Sequence, residues 1–156
     1  MSNIRILKKK TYLAMIHNAA EGEIRMFRNL YAEVDGKEQD VLRDGQVSCA
    51  VFVSAILYLQ KLIGDLHATV VSTERDLEQS GWILAEGDPQ EGDVIVWEAR
   101  TYADGASHAH IGFYVGNERA VSNASNEDGI PKEHHVTYDG TRKIERMWRH
   151  PALDAE

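Results

Sequence analysis

The chain has one cysteine, no long apolar run and fewer basic residues than acidic ones, and each shortage excludes something. A single cysteine forbids an internal disulfide, and it leaves the redox compartment unmarked. No segment approaches the roughly 18 apolar residues that a membrane-spanning helix needs. Seventeen Lys and Arg against 25 Asp and Glu give a formal charge of −8. That balance argues against a nucleic-acid partner, because phosphate binding wants a basic face. It equally disfavours adhesion to an anionic membrane. Three lysines precede an apolar patch near the N-terminus, as in a leader, but His17, Asn18, Glu21 and Glu23 interrupt the patch. The expected location is the cytoplasm as made, with export only through a phage or secretion system.

What is present suits one folded domain. The length of 156 residues permits a real hydrophobic core, and an apolar content of 43% is ordinary for a globular protein. Tyr12, Ile16, Ala20, Ile24, Phe27 and Tyr31 recur at three- and four-residue steps, which predicts a helix over 9–31 or two pieces meeting near Gly22. Residues 34–47 are polar, hold two Asp-Gly pairs and read as loop. Ser48 is placed to cap a helix from Cys49 to about residue 63, apolar on most faces and therefore buried.

Residues 68–71 read as a short strand, and Thr73 then caps an acidic helix ending at Gly81. "DVIVW" and "HIGFYV" are strands by their β-branched and aromatic content. "GNER" reads as the turn of a hairpin into "AVSNAS". "HHVTY" and "KIERMW" flank Asp139-Gly140, a favoured hairpin turn. Helices first and an antiparallel sheet after them make an α+β fold. The expected layout is a helical region and loop over 1–46, a core over 47–125, and added strands and a tail over 126–156.

Cys49 stands at the predicted first turn of the buried helix. There the helix dipole and free N–H groups favour a thiolate, and the same N–H groups can hold an oxyanion. The competing reading is that a small residue simply packs. A base is needed next. His110 opens a strand made otherwise of core residues and shares a face with Gly112 and Tyr114, where glycine leaves room beside the ring. His108 lies on the same face and is its rival. Ser122 and Asn123 on the returning strand point to opposite faces, and either can supply the third polar group. A different reading gathers His108, His110, His134 and His135 around Zn²⁺, with Cys49 or a carboxylate as a further ligand. Trp97 and Trp148 are expected to pack the sheet, and Asp93 to hold backbone N–H groups at a strand start.

The residues from Val47 to Ser125 resemble NlpC/P60 cysteine peptidases. "SCAVFVSAI" is similar to their D-C-S-G-F-V helix, "EGDVIVW" to their P-G-D strand, and "HIGFYVGN" to their H-V-G-I-Y strand. "TERDLEQSGW" looks like the short helix preceding the sheet. The resemblance implies a papain-like α+β fold close to the CHAP amidases, with the Cys-bearing helix packed on an antiparallel sheet. It puts the nucleophile on Cys49 and the base on His110. The family's third residue falls on Asn123 through "SNAS", whereas strict counting gives Ser122; Asn123 is preferred because an amide oxygen can accept the imidazole N–H. The implied activity is hydrolysis of an amide in a cell-wall peptide, with no cofactor and no metal. The departures are Ser48 for the family aspartate and Ala50-Val51 for Ser-Gly. They leave room for an inactive binding module on the same fold.

Overall fold

A computed structural model describes residues 2–123 and 128–154. Helix α1 (Lys8–Glu21) buries Tyr12, Ile16 and Ala19 on one face, as the spacing requires. It ends where the Gly22 N–H closes on Asn18 O and Glu23 takes a left-handed backbone. The apolar period therefore outruns the helix. Ile24 to Tyr31 is not helical, although Phe27 still reaches the core against Phe52, ring centroids 5.2 Å apart.

Strands β1 (Tyr31–Val34) and β2 (Lys37–Asp40) form a hairpin where a loop was expected. Asp35 and Gly36 both have positive φ, the signature of a type I′ turn. Its strands carry little apolar alternation, so only the turn pair marks it. Helix α2 (Cys49–Leu59) buries eight of its eleven residues. It stops short of Gly64 because Lys61 turns left-handed. Helix α3 (Val70–Gln79) begins inside the expected strand. Thr69, not Thr73, is its cap, accepting the Ser72 N–H at 3.1 Å.

The remaining strands are β3 (Ile83–Leu84), β4 (Val94–Thr101), β5 (Ser107–Gly116), β6 (Arg119–Asn123), β7 (Pro131–His135) and β8 (Ile144–Arg149). They make one sheet in the order β3-β8-β4-β5-β6-β7, every neighbour antiparallel. The α+β class is thus observed. One face of the sheet presents Val96, Ile111, Phe113 and Val121 to the helices, with Phe113 edge-on to Phe52 at 5.5 Å and to Tyr12 at 5.6 Å. The other face carries Ile95, Trp97, Tyr114 and Ala120 under Val136.

The expected hairpin at Asp139-Gly140 does not form. β7 pairs with β6 at the sheet edge, whereas β8 lies between β3 and β4. Residues 136–143 instead cross the second face as a strap. Val136 O accepts the Trp97 Nε1–H at 2.6 Å, and Arg142 donates to Glu98 O through Nε and Nη2. Asp93, 1% exposed, accepts the Gln90 N–H and a two-pronged contact from Arg149, Nε to Oδ1 at 2.8 Å and Nη2 to Oδ2 at 2.6 Å.

Candidate active site

The site forms where β5 and β6 part. In an antiparallel ladder, N–H groups of alternate residues point to opposite neighbours. Tyr114 N–H donates to Asp93 O on the β4 side, so the N–H groups of Phe113 and Ile111 face β6. The β5–β6 pairing includes Phe113↔Val121 and does not extend to Ile111. The Ile111 N–H instead favours the charged form of the Cys49 thiol. The first turn of α2 packs at this end of β5.

Several local contacts hold that turn. Asn123 Nδ2 donates to Ser48 Oγ at 2.5 Å, and Ser48 Oγ donates to Gly45 O at 2.8 Å. Gly45 lies flat on Gly129: a Cβ on either would come within 2.7 Å of the other's Cα, and both have positive φ. Upstream, the Asp40 carboxylate accepts the N–H groups of Leu30, Leu42 and Asp44. Burial opposes its charge, but these bonds and the Asn29 amide outweigh it and hold the carboxyl at about 2. The polar loop before Cys49 is therefore a folded mount.

His110 is 3% exposed, and its Nε2 lies 2.9 Å from Ser122 Oγ. Ser122 Oγ also hydrogen-bonds with His134 Nε2 at 2.8 Å and with the Tyr138 hydroxyl at 3.1 Å. Gly112 keeps this space open, since a Cβ there would meet Val121 O at 2.6 Å and Trp97 at 2.9 Å. The expectation that glycine makes room beside the ring fits this geometry.

The third group at His110 is Ser122, which corrects the preference for Asn123. Strand alternation turns Ser122 to the His110 side and Asn123 to the helix side, where its amide anchors Ser48 and reaches Gly129 O at 3.3 Å. Asn123 Oδ1 has no partner among the described residues. The last two residues of "SNAS" lie outside the described residues. His108 does not join the Ser122 network. Its ring packs on Tyr102, centroids 5.5 Å apart.

Three contributors escaped the sequence reading in this role: His134, Tyr138 and Arg142. His134 appeared there only as a metal or packing residue. No local pattern links residue 138 or 142 to residue 110, because the strap that joins them follows from β8's place in the sheet.

Cys49 and His110 line one cavity of about 360 Å³, with His108, Tyr102, Val41 and Val70 among its walls. Burial pushes the Cys49 thiol up. The N–H groups of Ile111, Ala50 and Cys49, with the Arg142 charge, act in the opposite direction. Burial holds His110 well below the ordinary imidazole value of 6.5, helped by Arg142, His134 and Arg100. Both groups rest neutral, because burial opposes the Cys49 thiolate and the His110 imidazolium. The N–H groups at the start of α2 can receive negative charge.

A stability consequence follows from burial of neutral rings. His134 is also held below 6.5, chiefly by burial. The folded state then binds fewer protons than the unfolded state between the folded values and 6.5, so this stability is complete above that range and lost on acidification. The unfolding free energy from urea titrations should fall as pH drops below 6.5, by up to about 1.4 kcal/mol per pH unit for each ring. Replacing His134 with glutamine should make the fall shallower. An unchanged slope would show that His134 is not buried neutral.

Among the described residues, no three His, Cys, Asp or Glu side chains come together to hold a metal, and no helix is long and apolar enough to cross a membrane. No protein-family model matches the chain, and no curated protein matches it.

Proposed function

We propose that the protein is a thiol hydrolase that cleaves an amide bond, with Cys49 as nucleophile, His110 as base and Ser122 as the group that orients His110. The observation carrying this reading is that Cys49, at the first turn of α2, and His110, a buried imidazole held by Ser122, line the same cavity. A packing cysteine needs no such neighbours.

His110 takes the thiol proton at Nδ1, the ring nitrogen not engaged by Ser122. The sulfur attacks the amide carbon, and the carbonyl electrons move onto oxygen, whose charge the N–H groups at the start of α2 stabilise. The C–N bond then breaks, and the amine leaves with the proton from His110. Water, deprotonated by the same ring, cleaves the thioester and restores the thiol.

The resemblance to NlpC/P60 peptidases supplies the finer reading: a papain-like form of the α+β class and a cell-wall peptide as substrate. Its order of parts supports that reading, with a Cys at a helix start, then β4, a His on β5 and a polar residue on β6. The substrate assignment rests on fold-level analogy.

Two measurements test the function. Digestion of purified muropeptides, followed by mass spectrometry, should yield new amines with the wild-type chain and none with Cys49→Ala. Iodoacetamide should modify Cys49 faster than in His110→Ala. A rate equal to that of an unassisted thiol and indifferent to His110 removes the hydrolase reading.

A further inference from the structure

We propose that His134 is a positioning residue: acting through Ser122, it fixes His110 in the tautomer whose Nδ1 keeps a lone pair for the Cys49 proton. The inference rests on the reading of Cys49 and His110 as nucleophile and base.

The assignment starts at a carbonyl, which can only accept. His134 Nδ1 lies 2.8 Å from His135 O, so Nδ1 carries a proton. In a neutral ring the other nitrogen can then only accept. Ser122 therefore donates its one hydroxyl proton to His134 Nε2 at 2.8 Å. Two lone pairs remain on Ser122 Oγ, and its other partners are the Tyr138 hydroxyl at 3.1 Å and His110 Nε2 at 2.9 Å. Both must donate. His110 is thus protonated at Nε2 and bare at Nδ1. With both rings neutral, this is the arrangement that satisfies every partner.

The chain of bonds runs across three neighbouring strands. His110 stands on β5, Ser122 on β6 and His134 on β7, where it pairs with Ala120. Trp97 packs on both imidazoles, at 5.2 Å from His110 and 5.5 Å from His134. Tyr138 stacks on His134 at 4.0 Å, the planes 16° apart. Ser122 is 1% exposed, so a wrongly turned hydroxyl would strand a buried group.

Protonating His134 reverses the arrangement. Both its nitrogens then donate, and Ser122 Oγ accepts from His134 and Tyr138. The Ser122 proton turns to His110 Nε2, the His110 proton moves to Nδ1, and the ring can no longer take the thiol proton. Facing His134 are Arg119, His135 and His110, which oppose its charge, and Glu133, which favours it; Arg142 and Arg100 face His110. Tyr138, held up at about 12 mainly by burial, stays a donor throughout.

Long-range ¹H–¹⁵N spectra of the full chain, labelled at histidine, read the tautomer directly. In the wild type at neutral pH, His110 should show Nε2–H alone, and Nδ1–H should replace it as His134 protonates. In His134→Gln, the side-chain oxygen can accept from Ser122 without titrating. Nε2–H should then persist through that range, with Cys49 alkylation within about twofold of wild type. His134→Ala should mix the tautomers and slow alkylation several-fold. Nδ1–H in the neutral wild type, or an unmixed Nε2–H signal in a folded His134→Ala, overturns the proposal. If His134→Ala does not fold, the wild type and His134→Gln still decide it. Expected tautomers with alkylation indifferent to His110 would instead remove the hydrolase reading and leave the relay standing.

Discussion

Replacing His110 with glutamine is expected to slow muropeptide cleavage by about two to four orders of magnitude, the usual worth of a positioned base. Glutamine is the better probe than alanine for this comparison, because His110 is buried against Trp97 and a truncated side chain would open a void there. Cys49→Ala should remove turnover altogether. The double variant should be no slower than Cys49→Ala alone, since nucleophile and base act as one unit and their losses do not add. Cys49 belongs to α2 and His110 to β5, so the substitution leaves the helix that carries the thiol unchanged. Stopped-time digests analysed by mass spectrometry check both points. A His110→Gln chain as fast as wild type would mean that the ring packs the sheet and takes no proton.

The second large effect is on stability. Arg149→Ala is expected to destabilise the fold by about 3–5 kcal/mol, because it leaves the carboxylate of Asp93 buried with its charge uncompensated. In a chain of this size each kcal/mol moves the melting temperature by about 2–4 °C, so the loss should approach 10 °C or more. Asp93 is 1% exposed, and the Gln90 N–H is its remaining polar contact once Arg149 is gone. Removing both charges in Asp93→Asn/Arg149→Met should cost less than Arg149→Ala alone, because neither variant side chain needs a counter-ion. Thermal unfolding followed by circular dichroism orders the three proteins. A double variant less stable than Arg149→Ala would show that the pair contributes more than it costs to bury.

Legibility in the sequence followed the range of the interaction. Gly112 was readable because its neighbours on one strand face are two residues away. Cys49 was readable because a helix start is a local event. Thr69 was misread because Ala68-Thr-Val-Val has β-branched residues with no preceding turn signal, and a single side-chain oxygen on Ser72 N–H settles the matter for helix. The N-terminal helix was overextended because periodicity counts side chains and is blind to the left-handed residue at Glu23. Ser122 and Asn123 could be assigned to opposite faces from sequence. Which face held His110's partner depended on strand register, and register is set by long-range pairing. His134 and Tyr138 lay beyond any local rule, since they reach Ser122 only after β7 adds to the sheet edge and the strap recrosses it.

The place of β8 has a consequence for how the molecule comes into being. Ribosomes deliver Cys49, His110 and Ser122 well before residues 144–149, yet β8 is an interior strand, pairing Val94 with Trp148 and Ile95 with Met147. Until it emerges, β4 lacks a neighbour, β3 has nothing to pair with and the strap over Trp97 has no far anchor. Closing so distant a pairing carries a loop-entropy cost that nearby contacts do not. The six-stranded sheet that carries His110 and Ser122 is therefore completed only after residues 144–149 have been made.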